Sequence, residues 1–169
     1  MLKDLDLYKD ILLKIFSAET SFNPTGWTQE NPTYGHCAVV TLLINDYCGG
    51  DIAKIKVNGE SHYFNRINGR DIDLTGEQFG ASQTYLDYSL CELSSRAYLL
   101  SNENTLNRYQ ILKKKFEAEY YDNTYGCDQC AKRKFWNDIV WITSSYGLCP
   151  ECHSKLSPKE IENLEKKYE

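Results

Sequence analysis

No apolar run in this sequence approaches the ~20 residues that a membrane-spanning helix needs. The opening stretch, MLKDLDLYKD, is acidic and lacks the apolar core of a secretory signal. The expectation is therefore a cytoplasmic protein with no membrane partner. A basic excess is missing as well. The net charge of −5 argues against a general phosphate-binding surface and against nucleic acid as a partner. A disulfide framework is excluded by the pattern of the seven cysteines. Four form two CxxC pairs, while Cys37, Cys48 and Cys91 stand alone, which reads as a metal site plus free thiols in a reducing compartment. Repeats and low-complexity tracts are absent. What remains is 169 residues, 41% apolar and with 13 tyrosines, enough for one ordinary domain or for one compact domain plus a small module.

The elements read as an α+β pattern. Leu5, Tyr8, Leu12, Ile15 and Phe16 recur at helical steps, so residues 4–18 form an amphipathic helix. Residues 19–35, with two Pro and two Gly, form a long loop. A helix follows from Cys37 to about Tyr47 and stops at Gly49-Gly50. Strands at 52–57, 61–67 and 71–74 are separated by Asn58-Gly59 and Asn68-Gly69, the strongest short hairpin signal, and make an antiparallel meander. Beyond a mixed stretch, a short helix falls near 94–100. A longer one, capped by Asn104, runs to about Tyr120 with Tyr109, Leu112, Phe116 and Tyr120 as its buried stripe. A boundary near Asp122 separates residues 1–121 from a C-terminal module, 122–169, whose last helix carries a capping box at Ser157 and Glu160.

Chemistry concentrates between Gly35 and Asp73. Cys37 stands where a loop becomes a helix, and a helix N-terminus favours thiolate and offers N–H groups to an oxyanion. With a two-residue turn at Asn68-Gly69, Ile67 pairs with Arg70, and paired numbers sum to 137. Phe64 then lies opposite Asp73. His62 and Asp73 share a face as diagonal neighbours, ~7–8 Å apart at Cα. Asp71 has the same parity but lies nearer the turn, and Asn65 points to the other face. Cys37, His62 and Asp73 are thus candidates for nucleophile, general base and orienting carboxylate, with Gln29 or Asn31 as a second oxyanion donor. A plainer reading also fits: a buried cysteine at a helix start, a half-exposed strand histidine and a strand-end turn former.

Residues ~20–118 resemble the YunG-like family of bacterial and phage proteins. The resemblance is carried by Trp27, Asn31-Pro32, Gly35, Cys37-Ala38-Val39, Gly49-Gly50, His62-Tyr63, Asn65-Arg66, Asp73-Leu74-Thr75, Gln78-Phe79, Arg108-Tyr109 and Leu112. It implies a Cys–His–Asp order similar to papain-like and NlpC-like thiol hydrolases, with the cysteine on a helix and the histidine on an antiparallel sheet. His36 departs from the family pattern, where Gln is expected. A second imidazole there could perturb the nucleophile, or could face solvent and do nothing.

Cys127-Asp-Gln-Cys130 and Cys149-Pro-Glu-Cys152 are two CxxC knuckles separated by 18 residues, the spacing of a four-cysteine zinc ribbon. Four thiolates leave no open position on the metal, so a zinc ion here is structural. The apolar residues between the knuckles suit a strand pair over the metal. His153 can substitute as a ligand, but the set is complete without it. The cluster Lys132-Arg133-Lys134 is balanced by acidic neighbours, which favours bracing or protein contact over nucleic acid.

Two functions follow. One is a cysteine hydrolase or transferase acting on an amide, isopeptide or ester bond, with a peptide or protein substrate. The other is a catalytically silent protein-binding module on the same scaffold, in the setting of phage–host interaction.

Overall fold

Two Asn-Gly turns set the register of the main sheet. Asn58 and Asn68 adopt φ of 51° and 52°, and the glycines after them 87° and 74°. Both central residues at positive φ make the tight hairpin turn whose twist matches the strands it joins. Strand β1 (Asp51–Val57) therefore pairs with β2 (Glu60–Ile67) from Val57 opposite Glu60. Strand β2 pairs with β3 (Arg70–Ile72) from Ile67 opposite Arg70. This is the expected register, but pairing ends at Ile72, so Asp73 lies just past the strand.

The computed structural model describes residues 5–169, the side chains of residues 81–85 excepted. The chain divides into two compact units, Leu12–Phe116 and residues 5–11 with Glu117–Glu169. Helix α1 spans Leu5–Ile15. In the first unit, helix α2 (Cys37–Cys48) packs against β1 and β2. Its buried Val39, Val40, Leu42, Leu43 and Ile44 are too many for one narrow stripe, which fits a helix covered on most sides. It ends where Gly49 turns to φ 68°. The two faces of β2 are used differently. Asn65 donates from Nδ2 to the carbonyl of Thr41 in α2, while Phe64 joins Ala53 and Ile55 in a cluster covered by Leu86 and Tyr88.

A fourth strand, β4 (Glu92–Ser94), pairs antiparallel with β1 and gives the order β3-β2-β1-β4. Three residues in a mixed stretch carry no local strand signal, so this partner was not foreseen. Helix α3 (Arg96–Leu100) follows, with the Ser95 hydroxyl accepting from the Tyr98 N–H. Helix α4 spans Glu103–Asp122. Asn102, not Asn104, supplies its cap, since Oδ1 of Asn102 accepts from the Thr105 N–H at 2.9 Å. Asn104 is occupied elsewhere: its Oδ1 accepts from Nε of Arg108 at 2.8 Å.

In the second unit, β5 (Thr124–Gly126) pairs with β6 (Arg133–Phe135), and β7 (Val140–Trp141) pairs with β8 (Gly147–Leu148). Short helix α5 (Pro150–His153) and helix α6 (Pro158–Tyr168) complete it, the latter with the capping box at Ser157 and Glu160. Instead of one strand pair there are two, and the core is built on Cys127, Leu148, Cys149 and Cys152. Trp136 and Trp141 are not in that core. They are 44% and 38% exposed and stack on each other with centroids 5.2 Å apart. No helix among the described residues is long and apolar enough to cross a membrane.

Candidate active site and metal centre

Cys37 is the first residue of α2. His36 before it has φ −100° and ψ −5° and places no side-chain cap over the helix start. The first N–H groups of a helix have no partner within it, so those of α2 are left without a capping side chain beside the Cys37 thiol. Gly35, at φ 73°, makes the turn into the helix. A Cβ there would sit 2.4 Å from the Ser21 hydroxyl oxygen and 2.9 Å from the Phe22 nitrogen, so only glycine fits. The thiol opens on a cleft of about 810 Å³, also lined by His62, Gln78, Phe79, Tyr98 and Arg108.

His62 and Asp73 meet. Nε2 of His62 lies 2.6 Å from Oδ2 of Asp73, with the side chains 1% and 7% exposed. Asp73 is itself held: Oδ1 accepts from the Thr75 N–H at 2.9 Å and the Thr75 hydroxyl at 3.1 Å, and Oδ2 accepts from the Tyr88 hydroxyl at 2.8 Å. These donors, with His62, outweigh burial and hold the Asp73 carboxyl below its usual range. For His62, burial pushes the ring down, but the hydrogen bond and charge of Asp73, with the nearby Cys37 sulfur, overcome it and carry it up to about 9. Asp71 does not take part. It pairs with Arg66 Nε at 2.7 Å.

Gln78 was not assigned a role from the sequence, although it is among the residues of the family resemblance. Its Oε1 accepts from the Gly35 N–H at 3.3 Å, so its Nε2 must be the donor. Nε2 reaches the Thr75 carbonyl at 3.1 Å and Nδ1 of His62 at 3.1 Å. In the neutral ring Nδ1 is then the lone-pair nitrogen, accepting from Gln78, and Nε2 carries the proton to Asp73. Asn31, one of the two expected oxyanion donors, is occupied in holding this residue, with its Nδ2 donating to the Gln78 carbonyl at 2.9 Å. Gln29 is exposed, and neither lines the cleft. The sequence signal that was available for Gln78 was its place in the family pattern, but no spacing rule ties it to His62.

His36 is neither beside the thiol as a second base nor in solvent. It is fully buried, 4.2 Å from the Phe16 ring centroid to centroid, with Nε2 2.9 Å from the Thr20 hydroxyl. Nδ1 has no hydrogen-bond partner. Burial is the main reason its pKa falls to about 4, so the ring is neutral.

The four C-terminal cysteines converge. All four sulfurs lie within 4.8 Å of one another, and those of Cys130 and Cys149 are 3.8 Å apart. The edge of a tetrahedron with ~2.3 Å metal–sulfur bonds is ~3.8 Å. Two tight turns build the site: the Ala131 N–H donates to the Cys127 carbonyl at 2.8 Å, and the Cys152 and His153 N–H groups both donate to the Cys149 carbonyl at 3.0 Å. Burial pushes the Cys127 thiol up, but N–H groups of Cys149, Cys130 and Gln129 directed at its sulfur bring it down to about 7. Sulfurs so placed can hold a metal ion, and His153 is outside the cluster.

The family model described as YunG protein matches residues 4–121. A protein of Bacillus subtilis (strain 168), named "Uncharacterized protein YunG", is 37% identical over 108 residues, covering 64% of this chain and 87% of that relative. The four converging cysteines lie beyond the residues matched by the family model. No solved structure matches.

Proposed function

From the premise that this chain belongs to the YunG family, we propose that it is a cysteine hydrolase or transferase acting on an amide, isopeptide or ester bond of a peptide or protein. The arrangement is papain-like and NlpC-like in its logic: a thiol at a helix start, a histidine on an antiparallel sheet and a carboxylate behind it. One observation carries the reading. His62 is fixed at Nε2 by Asp73, and its Nδ1, contacted by Gln78 Nε2, belongs to the cleft that also holds Cys37.

In this reading the proton of the Cys37 thiol passes to Nδ1 of His62, displacing the Gln78 amide, and the thiolate of the resulting ion pair attacks the carbonyl carbon. The new oxyanion accepts from the Cys37 N–H at the start of α2. Collapse expels the amine or alcohol, which takes the proton back from Nδ1, and leaves a thioester. Water, deprotonated by Nδ1, or an acceptor amine then resolves it. Asp73 keeps its negative charge throughout and stabilises the imidazolium. The C-terminal cysteines hold a structural zinc that braces the second unit and takes no part in the reaction.

The experiment is competitive labelling with iodoacetamide at pH 6, mapped by mass spectrometry. Cys37 should react fastest of Cys37, Cys48 and Cys91, because only Cys37 has a base and a helix start beside it. Labelling of Cys37 no faster than Cys91 would leave the protein-binding module as the function.

A further inference from the structure

Arg108 sits in α4, 5% exposed, and lines the same cleft as Cys37. Among the described residues no carboxylate pairs with it. Its N–H groups go to neutral oxygens instead. Nε donates to Oδ1 of Asn104 at 2.8 Å, and one Nη donates to the carbonyls of Thr20 at 3.2 Å and Gly35 at 3.4 Å. The other Nη donates to the Thr105 hydroxyl at 3.4 Å. A guanidinium cannot shed its proton, so the fold carries a desolvated positive charge with no resident counter-ion. Such a charge is costly unless an anion comes to it.

Two anions could do so, a substrate carboxylate or the thiolate of Cys37. A carboxylate is gripped well by two parallel N–H groups. Four of the five N–H groups here are already engaged, so that fork is not available. The thiolate needs no fork, only a nearby charge. We propose that Arg108 is a positioning residue for Cys37: its buried guanidinium is the counter-charge of the thiolate, and its bonds to Thr20 and Gly35 fix the turn that presents the sulfur. The proposal rests on Cys37 being the nucleophile of the reading above.

The electrostatics agree in direction. Burial pulls Arg108 down and the charge of Cys37 pulls it back up. The same guanidinium, after burial, helps keep His36 neutral. A neutral His36 adds no positive charge of its own, so the buried cations lining the cleft with Cys37 are Arg108 and the imidazolium of His62. The other titratable groups lining the cleft are His62, Lys56, Glu60, Tyr34, Tyr63 and Tyr98. Lys56 is turned to the Gly59 carbonyl at 3.4 Å in an exposed position, and Glu60 is exposed.

The test is the pH profile of Cys37 alkylation in the full chain. Arg108→Gln removes the charge, and Arg108→Lys restores it without the bonds. Asn104→Asp is a milder probe at an exposed position. It keeps the shape and the bond to Nε while placing a competing carboxylate on the guanidinium. Arg108→Gln and Asn104→Asp should both move the midpoint up by about one pH unit and slow labelling at pH 6 about tenfold. Arg108→Lys should stay nearer the wild type than Arg108→Gln does. If Asn104→Asp and any folded Arg108→Gln leave the midpoint where it was, the counter-charge role is wrong while the nucleophile stands. If Cys37 of the wild-type protein labels no faster than Cys91 at pH 6, the nucleophile reading fails and takes this one with it.

Discussion

Replacing Asp73 with Asn tests the hydrogen-bonded pair most directly. The carboxylate accepts Nε2 of His62 at 2.6 Å in a nearly dry setting and is pinned by Thr75 and Tyr88. Asparagine keeps the shape and can keep the acceptor, but it removes the charge. In the parent protein His62 is raised from 6.5 to about 9, although burial alone would lower it. That difference corresponds to ~3–4 kcal/mol in favour of the imidazolium, at ~1.4 kcal/mol per pH unit. Without the charge, burial is opposed only by Cys37, so the His62 pKa should fall well below about 9. The thiolate–imidazolium pair weakens with it. Alkylation of Cys37 at pH 6 should slow by on the order of tenfold to a hundredfold.

Stability gives a second readout. A raised histidine pKa stabilises the folded state fully below ~6.5, and this is lost as pH rises through about 9. The alkaline loss should therefore shrink in Asp73→Asn. Asp71→Asn is the control, since Asp71 serves Arg66, and it should change neither quantity. The assays are NMR titration of the His62 ring, mass-spectrometric labelling and denaturant titration across pH 6–10. A His62 pKa unmoved by Asp73→Asn would refute the reasoning, even if Cys37 proves reactive.

Three further outcomes are expected. Elemental analysis should find about one zinc per chain, and a chelator should melt the second unit while leaving labelling at Cys37 unchanged; metal-free protein with that unit intact would count against the site. Ala131 holds φ 59° just after Cys130, a left-handed conformation that costs a Cβ ~1 kcal/mol, so Ala131→Gly should leave zinc bound and raise the denaturant midpoint slightly, whereas a clear loss would contradict that view of the turn. His36 is lowered from 6.5 to about 4, so its contribution to stability is complete above ~6.5 and is lost as pH falls towards 4; His36→Gln should flatten the decline between pH 6.5 and 4.5 relative to the parent, and parallel curves would show that this ring does not drive it.

Much of this was legible because it is local. Asn-Gly at 58–59 and 68–69 fixes two hairpins within a few residues, and the register that brings Asp73 beside His62 follows by counting. Gly49 ends α2, Ser157 and Glu160 start α6, and the CxxC spacing brings four sulfurs together. What escaped is built from partners far apart in the chain. Gln78 serves His62 and Gly35 from a turn with no motif. Tyr88 reaches Asp73 from beyond the strands, and β4 is a strand only because β1 offers it an edge. Trp136 and Trp141 look like core by composition, yet the sulfur cluster with Leu148 takes that place and leaves them stacked near the surface.

The turn at Gly35 has a consequence for the order of folding. Its carbonyl is reached by Arg108 across 73 residues, its N–H by Gln78 across 43, and Thr20 is joined to Arg108 across 88. Closing loops of that length is slow compared with forming a hairpin or a helix turn. The sheet and α2 can therefore be in place while the thiol still lacks its surroundings. During synthesis the chain must have released α4 before Arg108 can dock, so reactivity at Cys37 becomes a clock for the last step of assembly in the first unit. Pulse labelling of that thiol during refolding should lag behind the recovery of helical and sheet signals.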